Sequence, residues 1–206
     1  MLNIQNLTVG YSKKLVLQDV SFSVPLGKII GIAGENGSGK STLLKTIAGL
    51  ITPKVGQIHL DNQVITRRST ADIAYLPDID LFHPYFTGEE VFRFYATQFE
   101  DFSYDKACIV AQYLDVPLNE KLAKLSKGKR GRVKMAATLG RNVKYYLMDE
   151  PFSGLDPMVR ESLIKGLLQF TEPEKQTILQ QLRVIGKLSP WFLLEFFLLK
   201  VINTNL

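Results

Sequence analysis

The chain has 206 residues, 46% apolar, 22% charged and 10% aromatic, the make-up of one globular α/β domain and not of a large multidomain enzyme. One cysteine, Cys108, excludes a disulfide framework and a Cys-rich metal site, and two distant histidines, His59 and His83, argue against a His-based zinc site. The net charge of +5 raises nucleic acid or an anionic membrane face as partners, but much of the excess lies in one run from Lys121 to Lys134.

The first residues carry no basic segment followed by an apolar core, so no secretory signal is expected and the cytoplasm is the default location. Leu2 to Val9 and Val20 to Val24 alternate apolar and polar residues and read as strands. Pro25 to Lys28 is a turn, and Ile29 to Ala33 is the compact apolar run of a buried strand. A glycine-rich loop follows, then a helix from Lys40 to Leu50 with Leu43, Leu44, Ile47 and Leu50 on one face. Gly56 to Gln63 reads as a strand entering an Asp-Asn turn, and Ile73 to Leu76 as a strand stopped by Pro77.

Beyond Thr87 helical spacing dominates, with one stripe of Val91, Phe92, Tyr95 and Phe99 and another of Ala107, Val110, Ala111 and Leu114. These predict a helical subdomain over about 87–140, inserted into a domain that mixes antiparallel strands with a parallel core. Val143 to Met148 returns as a strand, Pro157 to Phe170 as a helix and Gln176 to Leu179 as a further strand. The apolar stretch from Trp191 to Leu199 is broken by Glu195 and is far short of the roughly 20 residues of a spanning helix.

Gly34-Glu35-Asn36-Gly37-Ser38-Gly39-Lys40-Ser41-Thr42 fits two glycines flanking four residues, then Lys and Ser or Thr. Glycines let successive N–H groups converge on phosphate oxygens, and the following helix turns its positive end to the same anion. Lys40 would reach the β- and γ-phosphates, Ser41 would ligate Mg²⁺ through its hydroxyl, and Thr42 could add a phosphate contact. Downstream, Tyr145 to Met148 ends in Asp149 and Glu150, two carboxylates at a strand end. There Asp149 can hold Mg²⁺ through water, and Glu150 can orient or deprotonate an attacking water.

Gly34 to Thr42, Leu125-Ser126-Lys127-Gly128-Lys129-Arg130, Tyr146 to Pro151 and Ser153 to Pro157 together resemble the Walker A, signature, Walker B and D-loop segments of ATP-binding-cassette (ABC) ATPases. The resemblance covers roughly residues 1–179 and is nearest to bacterial exporter subunits that work with a separate membrane protein. It implies a P-loop NTPase fold, a mixed β-sheet flanked by helices, with ATP and Mg²⁺ as cofactors. It further implies that Tyr11 stacks on adenine, and that Ser126 and Gly128 contact the γ-phosphate held by the opposite subunit of a head-to-tail sandwich dimer, with Asp156 at the interface.

The chain departs from the family pattern at three places. Lys127 and Lys129 stand at the third and fifth signature positions, where Gly and Gln are usual. These cations give the basic run a local reason near phosphate, so nucleic acid is not the expected partner. Asp78 follows Pro77 where the family has Gln; it keeps an oxygen for Mg²⁺ or water and adds a negative charge. Arg183 stands where the family has a γ-phosphate-contacting His.

The resemblance implies the ATP-hydrolysing subunit of an ABC exporter, peripheral on the inner face of the cell membrane, paired as a homo- or heterodimer and driving a separate transmembrane permease. Phe82, Tyr85 and Phe86, if exposed, would suit a groove receiving a permease helix, and ordinary core packing is the alternative reading. The alternatives are a soluble cassette ATPase acting on a protein or nucleic-acid complex, and a nucleotide binder with impaired hydrolysis. Residues 180–206 match no cassette feature and read as an atypical tail, either from a shifted frame or truncated gene or as a divergent C-terminal helix docked on the sheet, and both predict slow hydrolysis.

Overall fold

The computed structural model describes residues 1–66, 70–153 and 155–183. It opens with two long strands, β1 (Leu2–Tyr11) and β2 (Lys14–Val24), followed by β3 (Ile29–Gly34) and α1 (Lys40–Ile47). Three further strands come next, β4 (Val55–Leu60), β5 (Gln63–Val64) and β6 (Ile73–Leu76). Three helices then separate β6 from the next strand: α2 (Gly88–Gln98), α3 (Tyr104–Tyr113) and α4 (Lys127–Leu139). The described part closes with β7 (Tyr145–Met148), α5 (Pro157–Gln169) and β8 (Thr177–Arg183).

The strands form two sheets, an antiparallel one ordered β2-β1-β4-β5 and a parallel one ordered β3-β8-β7-β6. The side-chain period of two divides the parallel strands between two cores. Tyr145 and Leu147 of β7 and Leu179 of β8 face a core shared with β1, β4 and the Leu43, Leu44 and Ile47 face of α1. Tyr146, Met148 and Ile178 point the other way, into a core built from α2 to α5. All four β7 side chains are therefore buried, which explains why the strand reads as an unbroken apolar run. At about 1.5–3 kcal/mol per buried large side chain, this two-sided burial fixes where the chain leaves β7.

Local signals set the helix starts. Thr87 and Glu90 close a reciprocal capping box on α2, Ser103 caps α3, and Asp156 caps α5 just before Pro157. The helix α1 ends three residues before the expected Leu50, because the N–H groups of Gly49 and Leu50 turn back to the carbonyls of Thr46 and Lys45. β2 and β8 run furthest beyond their expected bounds. β2 begins at Lys14, where pairing with Tyr11 closes a hairpin. β8 continues past Leu179 through Arg183, because Gly31 to Gly34 offer it a partner edge. Of the tail expected over 180–206, residues 180–183 belong to β8, and residues 184–206 lie outside the described residues.

Candidate nucleotide-binding and hydrolysis site

Residues 35–39 connect β3 to α1. Gly37 and Gly39 take φ of 82° and 95°, a region that side chains rarely adopt, and a Cβ on Gly39 would lie 2.8 Å from Leu17 Cδ2. Lys40 is buried, and its ammonium donates to the carbonyls of Gly34 and Glu35, both at 2.7 Å. Within this turn the Ser38 hydroxyl is buried with no hydrogen-bond partner among the described residues. An unsatisfied buried hydroxyl costs about 1–3 kcal/mol, and one aimed into a loop at a helix N-terminus fits a turn that receives phosphate oxygens.

Asp149 follows β7 and is 4% exposed; its N–H donates to the Leu76 carbonyl at 2.9 Å. Its Oδ1 lies 2.8 Å from Ser41 Oγ, and its Oδ2 accepts from the Tyr75 hydroxyl at 3.0 Å. Burial first, and then the negative charge of Asp149, push the Tyr75 hydroxyl pKa well above its ordinary value, so Tyr75 remains a donor. Glu150 sits at φ 49°, a left-handed backbone that is costly away from glycine and that clusters at functional sites. Ser41 Oγ and the Asp149 carboxylate are hard oxygen donors side by side, the chemistry that suits Mg²⁺.

Tyr11 ends β1, is 52% exposed and brings its hydroxyl to 3.5 Å from Thr42 Oγ1, so an exposed ring stands beside the phosphate loop. Asp78 is exposed, and its charge acts on Tyr75. Its backbone carbonyl accepts from Lys134 at 3.1 Å. The strands β3 and β7 are not neighbours, because β8 lies between them.

Ser126 and Asp156 are exposed helix caps, accepting from the N–H groups of Lys129 at 3.3 Å and Val159 at 3.0 Å. Gly128 and Leu155 bring these two segments together, a Cβ on Gly128 falling 3.4 Å from Leu155 Cδ2. Much of the basic run is engaged within the chain. Arg130 holds Asp80 at 2.8 Å, Arg132 the Leu114 carbonyl at 2.9 Å, and Lys134 the carbonyls of residues 77–79 at 3.1–3.2 Å. Of the aromatics before α2, Tyr85 is 67% exposed, whereas Phe82 packs on the helical core, edge-on to Tyr95.

Two residues at this site escaped sequence reasoning. Tyr75 lay within a strand without a motif of its own. Gln181 lay beyond the last recognisable segment, yet it is 6% exposed and lies 3.0 Å from both Ser41 Oγ and Glu150 Oε1.

A family model described as ABC transporter matches residues 17–153. The manganese transport system ATP-binding protein MntB of Listeria innocua serovar 6a is 30% identical over 203 residues, covering 93% of this chain and 83% of that protein. The Nod factor export ATP-binding protein I of Burkholderia orbicola is 31% identical over 174 residues, covering 81% of this chain and 57% of that protein. A solved Pyrococcus furiosus structure, assigned as an ABC transporter ATP-binding protein, superposes with a TM-score of 0.77 at 28% identity, covering 92% of this chain and 93% of its own. Phosphate loop, strand-end carboxylates and family match agree: the chain belongs to the ABC transporter family of ATP-binding, ATP-hydrolysing subunits.

Proposed function

We propose that this chain is the ATP-driven motor of a transporter whose membrane-spanning part is a separate permease. The observation that carries the reading is the meeting of Ser41 with Asp149, 2.8 Å apart, one residue before Glu150 and at the mouth of the glycine loop. Gly34 to Gly39 cradle the phosphates, Lys40 neutralises them, Thr42 adds a contact and Tyr11 stacks on adenine. Ser41 and Asp149 would hold Mg²⁺, with Asp78 reaching it through water; the ion supplies charge neutralisation on the phosphates. Glu150 orients and deprotonates the attacking water.

Ser126, Gly128 and Asp156 serve a second subunit. They lie together on an exposed face, and a head-to-tail dimer would bring that face to the partner's ATP. The ATP-binding unit extends through β8, with α2 to α4 as its helical subdomain. Among the described residues no helix is long and apolar enough to cross a membrane, which fits a motor bound to the cytoplasmic face of a separate permease. Export is supported by the resemblance to exporter subunits and by the relative named for Nod factor export; MntB makes manganese the first solute to test.

Replacing Glu150 with Gln tests the assignment. ATP binding should persist while hydrolysis falls by about 100-fold or more. Equal turnover in both proteins would remove Glu150 from the role of base. Co-purification from membranes separates the motor reading from a soluble ATPase: a permease supports it, and nucleic acid or a soluble assembly overturns it.

A further inference from the structure

The parallel sheet places the last described strand between the two that carry the nucleotide motifs, so β8 is flanked by β3 on one side and β7 on the other. In register, Gln181 stands opposite Ile32 of β3, and Gln180 opposite Met148 of β7. The Gln181 side chain is nearly excluded from solvent and has one donor group and one acceptor group, each of which faces a different motif. Its Nε2 donates to Glu150 Oε1 at 3.0 Å, and its Oε1 lies 3.0 Å from Ser41 Oγ. That hydroxyl has a single proton to share between Gln181 and Asp149 Oδ1.

We propose that Gln181 is a positioning residue that holds the Glu150 carboxylate in register with the phosphate loop. The inference rests on the reading of Glu150 as the base. A glutamate has three side-chain torsions, and a base is effective only within hydrogen-bond reach of the proton it takes. The amide N–H of Gln181 fixes one oxygen of that carboxylate, and the amide carbonyl lies 3.0 Å from the hydroxyl of Ser41 in the first turn of α1, whose one proton it shares with Asp149. The string Glu150, Gln181, Ser41, Asp149 and Tyr75 therefore ties both carboxylates to the strand ends and to each other. Asparagine, one methylene shorter, could not span both contacts from the same backbone position. Methionine matches the length and offers neither contact.

The test compares Gln181→Met and Gln181→Glu with the parent and Glu150→Gln, all as full chains. In Gln181→Met, kcat should fall about tenfold, the size of effect seen when groups orienting a site are removed, while KM for Mg-ATP stays within about twofold. Gln181→Glu should lose more, because it sets two carboxylates against each other. A readout independent of turnover is the ¹⁵N signal of the Gln181 side-chain amide, assigned by its loss in Gln181→Met, which should shift in Glu150→Ala. Turnover of Gln181→Met within twofold of the parent, with Glu150→Gln inactive, would overturn this proposal and leave the base assignment standing. An active Glu150→Gln would instead overturn the base assignment. KM rising in step with the fall in kcat, or an amide signal indifferent to Glu150→Ala, would also reject the positioning role.

Discussion

The turn from β3 into α1 and the start of α4 are both glycine-containing helix N-termini, yet they are built for opposite ends. At the first, Lys40 and Asp149 are buried, the ammonium closes on two loop carbonyls, and Ser41 meets a carboxylate from a strand more than a hundred residues away. At the second, Ser126, Lys127 and Lys129 are exposed, and among the described residues the serine hydroxyl caps its own helix and makes no other hydrogen bond. The first is a site completed by the chain that carries it. The second is an exposed, capped helix start, which the proposed sandwich dimer would complete. Cations farther along α4 do the anchoring: Arg130 and Lys134 bind Asp80 and so tie the helix to the loop after β6.

Substitutions can break or sharpen that contrast. The largest effect is expected at the completed site, where Lys40→Ala removes both loop contacts and a charge-assisted phosphate bond. ATP affinity measured by calorimetric titration should weaken by at least about tenfold; an unchanged affinity would mean that the turn does not hold phosphate through this lysine. At the open site, Ser126→Ala should cost about 1 kcal/mol of stability, the usual worth of an N-cap. Ser126→Asp keeps a capping oxygen but brings a negative charge to the face meant for phosphate, so it should leave the melting temperature nearly unchanged and lower turnover at least about tenfold. If turnover follows stability alone in the two variants, α4 is only capped there and the two sites do not cooperate.

A smaller effect concerns β8 itself, whose two neighbouring glutamines differ. Gln181 is satisfied on the site side, whereas Gln180 is 2% exposed, with its Oε1 buried and without a partner among the described residues. Gln180→Leu should stabilise the fold by about 1 kcal/mol in a denaturant titration, by removing an unmet polar group from a buried strand; destabilisation would show that this oxygen is used. The smallest change is expected at Asp80. Burial raises its carboxyl pKa, but the hydrogen bond from Arg130 and the charge of Lys134 outweigh it and hold it below the usual carboxylate range. A folded-state value below the unfolded one stabilises above the unfolded pKa of about 3.9, and that gain is lost as pH falls through the folded value. With the side chain 42% exposed, Asp80→Asn should cost under about 1 kcal/mol at pH 7, and the difference from the parent should vanish toward pH 2. A difference that persists there would rule out the charge as its cause.

Much of the phosphate loop was legible in the chain because its requirements are local. Backbone angles that favour glycine, a lysine and a hydroxyl at the first turn of a helix, and a preceding apolar strand all fall within about a dozen residues. The same holds for the unbroken apolar run of β7, which needs only to be covered on both faces. What composition and spacing left open was which strand lies beside which. Strand order is set by how two cores close over the two faces of one sheet, and no pattern along β8 announces that it will slide between β3 and β7. The extension of β8 through Arg183 follows from the unpaired edge that β3 presents, a partner remote in sequence. Only that insertion turned Gln181, a polar residue past the last recognisable motif, into the link between Ser41 and Glu150, and only the neighbouring position of β6 turned Tyr75 into a donor to Asp149. Local chemistry thus wrote the glycine loop into the sequence, and the long-range pairing of the sheet decided which side chains meet the two carboxylates at the end of β7.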